Sequence, residues 1–172
     1  MELTKERLEE MLKEKNFSEK DAADIIICLC DALYPLHHAK MPVICRDLKA
    51  ENVILTNEGE VKLVDFDIAR IYQPGKSKDT VMMGTQGYAA PEQYSAAEFS
   101  GRYTDVYALA AVTYRLVTGQ VPVAAPQRKV RDSMENAHSL ESGVPTYFSQ
   151  VLTCAMRLDP AKRMQTVPEL MS

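Results

Sequence analysis

The chain has 172 residues, 46% of them apolar and 26% charged, with a net charge of −4. A chain of this size buries roughly 70% of the surface its unfolded form exposes, so one core forms without disulfides, and the composition argues against disorder or a low-complexity tail. Interspersed charges of both signs remove the electrostatic basis for a nucleic-acid or membrane-surface binder; no apolar run approaches the roughly 18 residues of a membrane span, and the opening Met1-Glu2-Leu3-Thr4-Lys5-Glu6-Arg7 lacks the apolar stretch of a signal peptide, so the expected setting is cytoplasmic with reduced thiols.

Leu3, Leu8, Met11 and Leu12 stand among charges between Glu2 and Lys15, which predicts a surface helix with one apolar stripe. Ser18 followed by Asp21 resembles an N-cap, and Ala22, Ile25, Ile26, Leu29, Leu33 and Leu36 recur at helical spacing to about Ala39, a long half-buried helix. Cys28 and Cys30 point different ways on it and have no second pair at zinc-ligand spacing, so the cysteines are read as small hydrophobes and no metal site is assigned to them. His37 and His38 close the helix, where an imidazole meets unpaired carbonyls.

The period then changes. Val53-Ile54-Leu55, the turn Thr56-Asn57-Glu58-Gly59 and the alternating Val61-Lys62-Leu63-Val64 predict a β-hairpin ending near Asp65. Ile68 to Glu92 is polar and broken by Pro74, Gly75, Gly84, Gly87 and Pro91, the pattern of a functional loop. Thr104 to Thr118 is apolar on nearly every face and predicts the central buried helix. Residues 119–145 read as loop with one short helix; their basic cluster Arg128, Lys129 and Arg131 carries no assigned chemistry. Tyr147 to Leu158 is amphipathic and stops at Asp159-Pro160, and Val167 to Met171 starts a last helical turn. The fold class is therefore mainly α with a small β-hairpin.

Chemistry concentrates where the long helix meets the hairpin. A hairpin folds its ends together, so Asn52 before the first strand and Asp65 after the second fall side by side, with Asp47 and Lys49 on the preceding loop. A carboxylate and an amide oxygen suit Mg²⁺, which keeps waters and completes its shell with substrate phosphates. That set points to phosphoryl transfer, in which one carboxylate receives the acceptor hydroxyl, a lysine meets the moving phosphate and the metal neutralises phosphate oxygens. For Asp47 and Asn52 alone, a self-capping polar turn is the better reading; with Asp65 in register it loses.

Cys45-Arg46-Asp47-Leu48-Lys49-Ala50-Glu51-Asn52, Asp65-Phe66-Asp67, Gly84-Thr85-Gln86-Gly87-Tyr88 and Ala90-Pro91-Glu92 resemble, in order and spacing, the protein kinase family, and the run to Gln93 is most similar to the bacterial eukaryotic-like Ser/Thr kinases. The resemblance implies a protein-kinase-like large (C-terminal) lobe over 1–172, with a catalytic loop at 45–52 and an activation segment at 65–92. It implies Asp47 as catalytic base, Lys49 on the γ-phosphate, Asn52 and Asp65 as Mg²⁺ ligands for ATP, and Thr85 in the loop that receives a Ser or Thr acceptor peptide. It makes Arg46 the anchor for a phosphorylated activation loop, with Thr80 and Ser77 as the sites by position. It pairs Glu92 with Arg163 in a buried structural ion pair and has Asp105 brace the catalytic loop from below.

The sequence departs from the pattern in three ways. No Gly-x-Gly-x-x-Gly loop or Val-Ala-Ile-Lys strand occurs and only 44 residues precede Cys45, so the small lobe is expected to be absent. Cys45 replaces a histidine that packs on the phenylalanine matched by Phe66, and Asp67 replaces a glycine. The first reading is thus a Ser/Thr kinase catalytic lobe, acting on protein substrates once a separate small lobe is supplied and negligibly active alone. The second is a non-catalytic, pseudokinase-like module that binds a partner or a second copy through the uncovered ATP face. A third, a small-molecule phosphotransferase, is opposed by the Gly-Thr-x-Gly-Tyr and Ala-Pro-Glu segments.

Overall fold

The computed structural model describes residues 5–56, 58–65, 69–71, 84–95 and 97–172. The chain begins with a short strand, β1 (Lys5–Arg7), and one helical turn, α1 (Leu8–Met11), where the sequence predicts a single helix over 2–15. The reason is tertiary. β1 pairs antiparallel with β3 (Val53–Thr56), Arg7 opposite Ile54, and this ladder claims a backbone whose side chains would otherwise favour helix. Leu8 and Leu12 still enter the core one turn apart.

The long helix α2 (Glu19–His38) starts at Ser18, whose hydroxyl accepts the Asp21 N–H at 3.1 Å. Its inner face is Ala22, Ile25, Ile26, Leu29, Cys30, Leu33 and His37. Cys28 is exposed while Cys30 is buried, so the two thiols do face apart. His38 Nδ1 lies 2.9 Å from the Tyr34 carbonyl, the predicted helix-end contact, but His37 turns inward to another element. The hairpin is β3 with β4 (Val61–Leu63), and the sheet order is β1-β3-β4. A second ribbon pairs β2 (Val43–Ile44) with β5 (Arg70–Ile71), tying the start of the loop at 45 to the segment after the hairpin.

At the centre is α3 (Arg102–Thr118), buried from Thr104 to Val112 without a break, as an all-round apolar helix must be. Thr104 Oγ1 accepts the Gly101 N–H at 3.0 Å at its start. Gly119 ends it with φ +70°, a left-handed turn in which its N–H reaches the Arg115 carbonyl at 2.9 Å. Around it lie α5 (Ala137–Leu140), α6 (Thr146–Ala155) and α7 (Val167–Met171), with α4 (Ala125–Val130) beside the 3-10 turn at Pro91–Tyr94. Residues 119–145 thus hold two short helices rather than one. The basic cluster divides: Arg128 is buried on the Tyr107 hydroxyl (3.1 Å), the Met156 carbonyl (2.9 Å) and Asp132, whereas Lys129 and Arg131 are exposed.

Candidate active site

The site is assembled on one buried carboxylate. Asp105, in the first turn of α3 and fully buried, accepts the Cys45 N–H at 2.9 Å on Oδ2 and the Arg46 N–H at 2.9 Å on Oδ1; His37 Nε2 completes the cluster at 2.7 Å from Oδ2. Arg46 has φ +69°, a conformation that costs a non-glycine residue of order 1–3 kcal/mol and persists only where the surroundings over-determine it. Asp105 holds that turn from the core side. Gln93 holds it from the other, donating Nε2 to the Arg46 carbonyl at 2.7 Å while its Oε1 accepts the Ala90 N–H at 3.0 Å.

Beyond the turn, side chains alternate. Leu48 is buried, so Asp47 and Lys49 face the opposite, partly open side. Thr85 closes a triangle with them: its hydroxyl donates to Asp47 Oδ1 at 2.8 Å and accepts from Lys49 Nζ at 3.1 Å, and Lys49 Nζ lies 3.3 Å from Asp47 Oδ2. Both charged side chains are 24% exposed, enough for a ligand to reach them. Asn52 ends the 3-10 turn at Ala50–Asn52 and donates Nδ2 to the Asp47 carbonyl at 3.0 Å, with Asp47 Oδ2 at 3.5 Å.

Asp65 arrives by register. The Val64 N–H donates to the Asn52 carbonyl at 2.8 Å, extending the β3–β4 pairing, so Asn52 and the start of Asp65 sit at adjacent strand ends. Asp65 has φ +61°, and its carboxylate, 54% exposed, makes an ion pair at 3.7 Å with Arg7. The donor set fits a hard divalent cation: the Asn52 amide nitrogen is taken by Asp47, which leaves its oxygen as the available atom, and Asp65 is open to solvent. Among the described residues no three His, Cys, Asp or Glu side chains gather into a cluster; a metal held by this pair would take its remaining ligands from waters and phosphates.

The structure therefore brings together Asp47, Lys49, Thr85 and Asn52, with Asp65 at the neighbouring strand end. Cys45 lies beneath them, 4% exposed, its thiol pushed above the ordinary range by burial first and by Asp105 second. Glu92 and Arg163 form a two-pronged pair (2.7 and 3.0 Å), and Thr104 Oγ1 donates to Glu92 at 2.8 Å. Phe66, Asp67, Ser77 and Thr80 lie outside the described residues. Sequence reasoning overlooked Arg7, His37 and the bridging of Gln93. The inward-facing His37 at the end of an apolar stripe was the available signal; its partner is 68 positions away.

Comparison with known proteins gives a consistent result. The protein kinase domain matches residues 1–172. The chain is 35% identical over 167 residues to a probable serine/threonine-protein kinase PknB of Corynebacterium glutamicum, covering 90% of this chain and 25% of that protein. It is 31% identical over 125 residues to the serine/threonine-protein kinase PknL of Mycobacterium tuberculosis (69% of this chain, 31% of that protein). With the serine/threonine-protein kinase SIK1 of Mus musculus the identity is 33% over 132 residues (74% and 16%). The chain spans about a quarter of the length of the first curated relatives it matches. No described helix is long and apolar enough to cross a membrane.

Proposed function

This chain belongs to the protein kinase family, and on that footing we propose that it is the helical catalytic lobe of a Ser/Thr protein kinase, transferring the γ-phosphoryl group of Mg²⁺-ATP to a protein hydroxyl. The observation that carries the reading is the Asp47–Thr85–Lys49 triangle, in which a hydroxyl 38 positions downstream orients the carboxylate while the ammonium stands beside it. Asp47, fixed by Thr85 and by the Asn52 amide, accepts the proton of the incoming Ser or Thr hydroxyl. Lys49 offsets charge on the transferred phosphoryl group. Asn52 and Asp65 are the residues that would hold Mg²⁺, which when bound neutralises phosphate oxygens.

Thr85 also positions the acceptor segment. Asp105 and Gln93 keep the catalytic turn rigid, so that Asp47 meets its substrate without paying to order the loop. Arg46 is proposed as the anchor for phosphate on Thr80 or Ser77. The sequence holds no Gly-x-Gly-x-x-Gly loop, and we assign the nucleotide lid to a small lobe outside these 172 residues.

The test is phosphotransfer from labelled ATP together with calorimetric titration of Mg²⁺-ATP. The expected result is metal-dependent binding that Asp65→Ala abolishes, with negligible transfer by the 172 residues alone. Robust autophosphorylation of this chain, lost in Asp47→Asn, would overturn the requirement for a small lobe. Complete absence of nucleotide binding would overturn the catalytic reading in favour of a non-catalytic interaction module.

A further inference from the structure

We propose that Arg7 is a tethered counter-cation that occupies the charge of Asp65 and so lowers the affinity of this site for a divalent ion; the inference rests on the reading of Asp65 as a metal ligand. β1 is the outer strand of the three-stranded sheet, and Arg7 stands opposite Ile54 on β3. From there its guanidinium reaches the far end of the hairpin, donating Nη1 to the Glu51 carbonyl at 2.7 Å and lying 3.7 Å from Asp65 Oδ2. Glu51 immediately precedes Asn52, so one nitrogen of Arg7 is held near Asp65 and at the peptide that leads into Asn52.

As a brace this contact does little, because both side chains are about half exposed and exposed ion pairs add little to stability. Its effect is on charge. Asp47 is already faced by Lys49 at 3.3 Å, so with Arg7 in place Asp47 and Asp65 each have a cationic neighbour before any metal arrives. A divalent ion on Asp65 then sits within a few ångströms of a guanidinium fixed by a backbone carbonyl. Like charges at about 5 Å, with screening at about 0.1 M salt, weaken binding roughly fivefold. The backbone bond to Glu51 is what makes the effect persistent, since a freely moving arginine would swing away.

The experiment titrates Mn²⁺, observed by its electron paramagnetic resonance signal, into the full chain and into Arg7→Lys, Arg7→Gln and Arg7→Glu, with and without ADP, circular dichroism verifying the fold of each. The expected order of Mn²⁺ affinity is Arg7→Glu tightest, Arg7→Gln about fivefold tighter than the parent, and Arg7→Lys close to the parent, the spread shrinking at 1 M KCl. A purely structural role for Arg7 would not sort affinity by the sign of residue 7. Equal Mn²⁺ affinity in the parent and Arg7→Gln, or weaker binding in Arg7→Gln with the fold intact, overturns the proposal while leaving Asp65 as a ligand. Binding unaffected by Asp65→Ala, or no Mn²⁺ binding in any of these proteins, overturns the metal reading and this inference with it.

Discussion

Arg163→Ala is the sharpest test of how the lobe is held together. Its guanidinium and the Glu92 carboxylate are 0% and 1% exposed and share two hydrogen bonds, at 2.7 and 3.0 Å. Arg163 also donates to the carbonyls of Arg157 (2.9 Å) and Tyr103 (3.1 Å) and lies 5.0 Å from the centre of the Tyr107 ring. Truncation leaves Glu92 with a hydrogen bond from the Thr104 hydroxyl in place of its counter-ion, and an uncompensated buried charge costs about 3–5 kcal/mol. That is a large part of the 5–15 kcal/mol total of an ordinary domain. With a urea m-value of about 2 kcal/mol/M, the unfolding midpoint should fall by about 1.5–2.5 M at unchanged m. Adding Glu92→Gln removes the stranded charge, so the double variant Glu92→Gln, Arg163→Ala should recover about half of the loss. A midpoint shift below about 0.5 M for Arg163→Ala, or a double variant no more stable than the single, would refute the account of this pair as a charge that cannot be left alone in the core.

Asp105→Asn replaces an oxygen that accepts a backbone N–H with an NH₂ group facing it, at a cost of about 2–3 kcal/mol, and thermal unfolding should move down by roughly 5–10 °C. An unchanged melting temperature would mean that the turn at Arg46 does not depend on this carboxylate. Thiol labelling at pH 8 should find Cys28 fast and Cys154 slower, with Cys30 and Cys45 reacting only on unfolding; burial raises the Cys30 thiol to about 12, so thiolate is scarce as well as inaccessible. Asp132 is held below the ordinary 3.8 chiefly by its hydrogen bonds from Arg128. Because its folded value lies below its unfolded one, the stability it adds is present above that ordinary value and is lost as pH falls through the lowered folded value. The stability gap between the parent and Asp132→Asn should therefore be constant near neutrality and close below about pH 4, as urea midpoints measured across pH would record.

The parts legible in the sequence are those fixed by local pattern. Ser18 announces α2, the switch from helical to alternating period marks the hairpin, and the unbroken apolar run locates α3. Asp47, Lys49 and Asn52 could be placed because the loop carrying them is short and flanked by two recognisable elements. Thr85 entered through resemblance, since nothing local says that a threonine in a long polar segment returns to Asp47. The misreading at the N-terminus has the same origin: Lys5–Arg7 is a strand because β3 offers it a ladder, and single-chain periodicity carries no information about that partner. Arg128 stood in a basic cluster with no assigned chemistry, yet it is a buried strut, because the groups that accept its hydrogen bonds are Tyr107, Met156 and Asp132, spread along the chain. His37 reaches Asp105 for the same reason, through folding rather than neighbourhood.

Among the described residues, two non-glycine residues with positive φ, Arg46 at +69° and Asp65 at +61°, flank the proposed chemistry, and each conformation costs of order 1–3 kcal/mol. For Arg46 the offset is visible: both of its peptide groups are claimed, the N–H by Asp105 and the carbonyl by Gln93. Those two holders come from different elements, the rigid α3 and the Pro91–Tyr94 turn, so the position of Asp47 reports on both. The Pro91–Tyr94 turn is in turn fastened through Glu92 to Arg163 and through Thr104 to α3. Core burial, the Glu92–Arg163 pair and the orientation of Asp47 are consequently one mechanical chain. A perturbation at Arg163 should loosen the carbonyl grip on Arg46 before it unfolds the lobe, so that hydrogen exchange at the Arg46 N–H speeds up at a lower urea concentration than global unfolding does.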